Sequence, residues 1–309
     1  MNGKVVVILG ATATGKTNLA LDLAEALDGE IVGADSRQMY RLMDIGTAKP
    51  TSAQRARVRH HLVDIVDPDQ TLSLAEVLDM TRAAVEDVLA RGKLPFLVGG
   101  TGQYITAFTE GWTIPRVPPQ PALRAELEAY AAQHGTARLY ARLQALDPDQ
   151  ATRIHPNNLR RIVRALEVCL VSGSAMSQQQ RKAAPPYDFL LLGLTMPRES
   201  LYARADARSE AMFSLGFLDE VRHLLALGYE RHLPSFSAVG YPECCAHLLD
   251  GLALEEAKTQ MKFNTHAFIR RQEIWFRGHD RGILWHNGLE LRTEALIVQL
   301  SNWMKYGIV

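Results

Sequence analysis

Residues 4–17 read KVVVILGATATGKT, and this stretch decides the fold. Its first part, 4–9, is a short apolar run rich in β-branched side chains, the mark of a strand buried on both faces in a parallel sheet. The eight residues Gly10, Ala11, Thr12, Ala13, Thr14, Gly15, Lys16 and Thr17 then fit G-x-x-x-x-G-K-[ST] in full. Beyond them Leu19, Ala20, Leu23, Ala24 and Leu27 trace one face of a helix over 17–27. Strand, glycine loop and helix together form a phosphate cradle. Backbone N–H groups and the helix N-terminus face the anion, Lys16 adds a cation, and Thr17 offers a hydroxyl to Mg²⁺. A helix start with glycines placed only for turn geometry would not require the whole spacing. The loop by itself does not say which phosphate compound it holds.

Working outward, 30–34 and 94–98 (LPFLV) read as further strands with a helical stretch, 74–91, between them. Such alternation predicts an α/β fold with a P-loop NTPase-like core, a parallel sheet flanked by helices. At 113–121 (TIPRVPPQP) prolines break any helix and suit a domain crossing. Helical patterns follow over 121–134, 136–146, 149–154 and 157–172, then a loop, then an apolar strand at 187–195. The expected layout is a first part of the core at 1–114, an inserted α-helical domain at 115–186, and a resumed core at 187–309 that is mostly helical after 198.

A 47% hydrophobic and 22% charged composition excludes disordered and fibrous classes. With 34 basic and 34 acidic side chains the net charge is zero, which argues against a nonspecific nucleic-acid binder but not against a local basic groove. The charges are segregated, with basic residues gathered at 55–61, 138–164 and 262–281. The three cysteines have neither disulfide nor zinc spacing, so a reducing, cytoplasmic setting is expected and a structural metal is not. The longest apolar runs, 5–9 and 189–194, are strand-sized, so no membrane span is expected.

Three further constellations bear on chemistry. Asp35, Ser36, Arg37 and Gln38 follow the second strand, where ligands of open parallel sheets sit; there Asp35 is a general base, a Mg²⁺ holder through water, or a turn aspartate capping its own backbone. Residues 98–104 (VGGTGQY) follow another strand: either a plain tight turn, or a close approach of backbone to ligand with Thr101 presenting its hydroxyl. No carboxylate stands there for Mg²⁺, which makes ATP hydrolysis unattractive. Third come Arg160, Arg161 and Arg164 on one helical stretch, Arg204 and Arg208 four apart, and Arg270, Arg271 and Arg277 near Trp275 and Phe276. Each is either a solvated helix face or a phosphate-backbone surface, with the aromatics free to stack bases.

In order along the chain, GATATGKT, DSRQMY with RLMDIGTAKP directly after it, HHLVDIVDP, VGGTGQYI, RRIVRALEV, GFLDEV, SAVGYPE and RRQEIWFR resemble the tRNA dimethylallyltransferase (tRNA isopentenyltransferase) family. The strings span residues 10–277, and the lack of Cys/His spacing after 277 resembles the bacterial type. The resemblance implies transfer of a dimethylallyl group from dimethylallyl diphosphate to the N6 amine of the tRNA adenosine 3′ of the anticodon, with Mg²⁺ and no protein partner. It implies that Asp35 takes the amine proton, and that residues 10–17, Thr101 and Arg208 hold the diphosphate, with Arg204 as the fallback for Arg208. It also implies tRNA contacts from Asp35, Ser36, Arg37, Gln38, Thr101, Arg124, Arg160, Arg161 and Arg164. Two alternatives remain: an adenylate isopentenyltransferase acting on free AMP, ADP or ATP, and a P-loop small-molecule kinase.

Overall fold

The computed structural model describes residues 2–280 and 282–307. The chain folds as two compact units, one of Met1–Leu72, Leu78–Thr109 and Pro186–Val309, the other of Ser73–Val77 and Glu110–Pro185.

The first unit opens with β1 (Gly3–Gly10), α1 (Lys16–Ala26), β2 (Gly29–Gly33), α2 (Ser52–Arg57), β3 (His60–His61), α3 (Leu74–Ala90, whose first residues belong to the other unit), β4 (Leu94–Gly99) and α4 (Gly102–Thr109). The second unit carries α5 (Pro121–His134), α6 (Thr136–Leu146), α7 (Pro148–Thr152), α8 (Leu159–Ser172) and α9 (Met176–Gln179). The first unit then resumes with β5 (Tyr187–Thr195), α10 (Arg198–Ser214), α11 (Phe217–Ala226), α12 (Tyr241–Asp250), α13 (Leu254–Gly278), β6 (Ile283–Asn287) and α14 (Thr293–Tyr306).

The six strands are all parallel, in the order β3-β2-β4-β1-β5-β6. Central β1 is buried on both faces, as its unbroken apolar run requires. Val6, Ile8, Phe96 and Leu192 pack under α1 and α14, with Leu23, Leu300 and Trp303 closing the layer. Gly10 ends β1 at φ 145°, and a Cβ there would lie 2.4 Å from the Leu194 carbonyl of β5; only glycine lets the chain leave the sheet so close to its neighbour. Two strands of the sheet escape the sequence reading. β3 is two residues long, too short to show alternation, and β6 lies in a stretch read as helical. Its residues, ILWHN, have no polar alternation because the strand is half-buried along most of its length. Among the described residues no helix is long and apolar enough to cross a membrane.

In the second unit Leu127, Leu139, Leu143, Ile162 and Leu166 close a helical core of their own. On its entering side the unit begins at Glu110, before the expected boundary at 115, because the entering and leaving segments pair. Ala183 N–H donates to Gly111 O at 2.9 Å, and Thr113 N–H to Arg181 O at 2.8 Å. Inside, the fully buried Glu167 of α8 accepts from Arg124 Nε (2.7 Å) and Nη2 (2.8 Å), from Arg164 Nη1 (2.5 Å), and from Gln120 N–H (2.7 Å). Burial alone would raise this carboxyl, but the donors of Arg124, Gln120 and Arg164 outweigh it and hold the pKa down at about 2. Glu167→Ala should therefore lower the unfolding free energy of this unit by about 2–3 kcal/mol, discounted because both arginines reach solvent. A depressed acid stabilises the fold above its ordinary 4.5 and loses that contribution as pH falls toward about 2. Urea melts at neutral and acidic pH check both statements, since the wild-type advantage over the variant should shrink in acid.

Candidate functional site

The carboxyl ends of β1, β4 and β2 and the turn after each enclose a cleft of about 330 Å³. Thr12, Gly15, Lys16, Thr17, Asp35, Gln38, Arg204 and Arg208 line it, with Ile31, Val63 and Val98 as apolar wall. Its location follows from topology, because loops leaving the C-terminal edge of a parallel sheet converge over the strand ends.

The glycine loop wraps the start of α1, with Ala13 at φ 66° and Gly15 at φ 100°. Lys16 Nζ folds back to donate to Ala11 O at 2.6 Å, and Thr14 Oγ1 donates to the same carbonyl at 2.8 Å. Arg208 of α10 donates to Thr12 Oγ1. Arg204, one turn earlier on α10, also reaches the loop; its Nη2 lies 3.8 Å from where a Cβ on Gly15 would stand. Both members of the arginine pair therefore line the cleft. Burial, then the neighbouring Arg208, push Lys16 down to about 7, with Asp35 opposing. Burial likewise lowers Arg208.

Asp35 lines the cleft while its Oδ1 accepts the Arg37 N–H at 2.8 Å. It is thus both the local cap and a cleft carboxylate, with no donor to Oδ2 among the described residues. Thr101 Oγ1 accepts the Ser36 N–H at 3.0 Å, tying the turn after β4 to the turn after β2. Arg37 is committed within the protein, its guanidinium donating to Pro234 O (2.6 Å) and Ser237 Oγ (2.9 Å). Gln38 Nε2 donates to Thr47 O and Ala48 O. The loop that receives it, 44–50, hangs on Glu220 of α11, which accepts the N–H groups of Asp44, Ile45 and Gly46 and the Tyr241 hydroxyl at 2.6–3.2 Å. Buried Lys49 locks the same loop through Tyr40 O, Asp44 and Asp64.

Several arginines named from the sequence are in the second unit. Arg160 and Arg161 are exposed, whereas Arg124 and Arg164 clamp Glu167. The aromatics beside Arg270 and Arg277 are unavailable for stacking, which corrects that expectation. Phe276 is buried in the core, and Trp275 Nε1 donates to Thr106 Oγ1 at 3.0 Å. The close approach permitted by the glycine turn after β4 is largely internal as well. Gln272 of α13 lies against Gly100 and has no signal of its own in the sequence beyond its place in RRQEIWFR. His60 of β3 was also passed over; its Nδ1 donates to Val58 O at 2.7 Å, and burial keeps the ring neutral at the cleft wall.

A divalent cation fits this site only in one manner. Among the described residues no three His, Cys, Asp or Glu side chains converge as a cage. The Thr17 hydroxyl in a cationic cleft suits a hard ion carried largely by phosphate oxygens and water, as Mg²⁺ prefers.

An IPP transferase family model matches residues 38–279. The chain belongs to the IPP transferase family. It is 54% identical over 273 residues to a tRNA dimethylallyltransferase of Roseiflexus sp. (strain RS-1), covering 88% of this chain and 90% of that one. It is 42% identical to a tRNA dimethylallyltransferase of Dehalococcoides mccartyi over 98% of this chain and 93% of that one. Among solved structures, the tRNA isopentenylpyrophosphate transferase of Bacillus halodurans superposes with a TM-score of 0.71 at 37% identity, covering 98% and 95% of the two chains. A eukaryotic dimethylallyltransferase acting on tRNA gives a TM-score of 0.82 at 25% identity, covering 99% of this chain and 80% of that one.

An IPP transferase whose loop lysine titrates at about 7 must recharge it to hold an anion. Anion binding raises the lysine pKa again, so affinity is full below about 7 and falls as pH rises above it. Calorimetry of inorganic pyrophosphate binding at about pH 8, in buffers of different ionisation heat, should show uptake of about one proton more than Lys16→Met shows.

Proposed function

We propose that this chain transfers a dimethylallyl group from dimethylallyl diphosphate to the exocyclic N6 amine of the tRNA adenosine 3′ of the anticodon. The observation that carries the reading is the pairing, in one cleft, of a phosphate loop with three cations and a single carboxylate held opposite by its own turn. The diphosphate lies in the loop of residues 10–17. The amine nitrogen attacks the allylic carbon, the carbon–oxygen bond breaks, and its electron pair leaves on the diphosphate. Lys16, Arg204 and Arg208 stabilise that developing charge. Mg²⁺, held by the diphosphate and the Thr17 hydroxyl, supplies further neutralisation of the leaving group when bound.

Asp35 accepts the proton that the amine sheds, through the carboxylate oxygen its turn leaves over. Thr101, accepting from Ser36, keeps its own proton for the reacting end of the diphosphate. The target base must leave its stack to enter the cleft, a displacement of a few kcal/mol that an unpaired loop lowers. Gln38 and Ser36 meet the nucleotide at the cleft mouth, with Arg37 setting the turn. Arg160, Arg161 and the part-exposed Arg124 contact phosphates, while Arg164 acts through Glu167. The working compartment is the cytoplasm, and the chain acts without a protein partner.

Label transfer from radiolabelled dimethylallyl diphosphate tests the reading, with an anticodon stem-loop, the same loop with the adenosine replaced, and free AMP as separate acceptors. Label is expected only in the unaltered loop; label in AMP alone would assign the acceptor wrongly. Asp35→Ala should slow transfer by about 10²–10⁴-fold while pyrophosphate affinity stays within a few-fold of wild type. Retained activity in that variant would remove the base from Asp35.

A further inference from the structure

Gln272 is a buried amide on α13 whose two ends are both used. Its Oε1 accepts the Thr12 N–H of the phosphate loop at 2.8 Å, and its Nε2 donates to Gly100 O in the turn after β4 at 2.9 Å. The partners are far apart in sequence and belong to the two halves of the cleft. Thr12 also receives Arg208 through its hydroxyl, so its place fixes the diphosphate cradle. Gly100 precedes Thr101, which accepts the Ser36 N–H beside Asp35, so its place fixes the base. A Cβ on Gly100 would stand 2.4 Å from Gln272 Nε2, so glycine is required for the amide to seat. Trp275, one turn on, anchors the same helix to α4 through Thr106.

We propose that Gln272 is a positioning residue that sets the gap between the diphosphate half and the acceptor half of the cleft. The inference rests on the transfer reading above. Displacement at an allylic carbon requires the amine, the carbon and the departing oxygen to be held in line at near-contact distance. No side chain donated by the loop or the glycine turn bridges the two; the amide of Gln272 does so from a third element. An amide is suited to this because it accepts at one end and donates at the other without carrying charge. A charge here would perturb Lys16 and Asp35 alike.

The test uses the full chain with the anticodon stem-loop as acceptor and inorganic pyrophosphate as the binding probe. Gln272→Leu keeps the volume and loses both bonds; Gln272→Glu keeps an acceptor for Thr12 but sets a carboxylate oxygen against the Gly100 carbonyl. Both should lower kcat by about 10²-fold, with the KM for dimethylallyl diphosphate and the pyrophosphate affinity within about threefold of wild type. Gly100→Ala should lower kcat likewise, and the double variant with Gln272→Leu should be no slower than either single one. A residue that merely stabilised the fold would lower pyrophosphate binding along with kcat, and its loss would add to that of Gly100→Ala. Should Gln272→Leu not fold, Gln272→Glu decides on the same readouts. Wild-type kcat in either folded variant, or additive losses, overturns the proposal while leaving the transfer reading intact. A wild-type chain that transfers no label overturns both.

Discussion

Lys16 and Arg208 sit partly buried side by side at the phosphate loop, Arg204 reaches over Gly15, and one carboxylate, Asp35, shares the cleft with all three. Removing cations from water is expensive unless an opposite charge or good hydrogen bonds replace the hydration. The protein meets part of that cost locally, with Lys16 on Ala11 O and Arg208 on Thr12 Oγ1, and part by lowering the lysine pKa. The remainder is an excess of positive potential that an anion of two phosphate groups relieves. In the proposed transfer, affinity for the donor and stabilisation of the departing diphosphate come from one electrostatic imbalance, which grows in value as the leaving oxygen gains charge.

Maintaining such an imbalance requires a scaffold that will not collapse onto it. The loop 44–50 is held by three successive N–H groups on Glu220 and by buried Lys49 between Asp44 and Asp64. Gln38 is pinned to that loop, and Arg37 to the turn at 234–237. These pairs are satisfied among themselves, so neither Lys49 nor Arg37 is free to neutralise Asp35. Asp35 keeps one oxygen uncommitted because its surroundings are already paired, which is what a proton acceptor requires.

The sheet was legible in the sequence because central strands buried on both faces have to be apolar where they are covered, and 5–9, 94–98 and 189–194 are. β3 and β6 were not, since edge strands of a few residues are specified by pairing with β2 and β5 rather than by their own pattern. At the site, residues whose backbone carries the function were legible, as the glycine loop shows. Residues that act by reach were not. Gln272 is separated from Thr12 by almost the whole chain, and no local period marks an amide that bridges two loops. The arginines mislead for a related reason, because sequence counts charges but not their partners. Arg124 and Arg164 converge on Glu167, a carboxylate that reads as one more polar residue of an amphipathic helix until its burial is seen.

The same fold elsewhere hydrolyses or moves phosphoryl groups, and what diverts it here is the end of β4. A carboxylate at that position would hold Mg²⁺ against the terminal phosphate and order an attacking water. Gly99, Gly100 and Thr101 stand there instead, pressed against Ala34 and Gln272 and bonded to Ser36. That arrangement puts no carboxylate at the end of β4 to hold a metal ion against a terminal phosphate. In the proposed transfer, cleavage falls on the carbon–oxygen bond, where the nucleophile comes from outside the loop and the diphosphate departs whole. The end of β4 thus withholds a metal-holding carboxylate from the strand beside the loop without altering the loop itself.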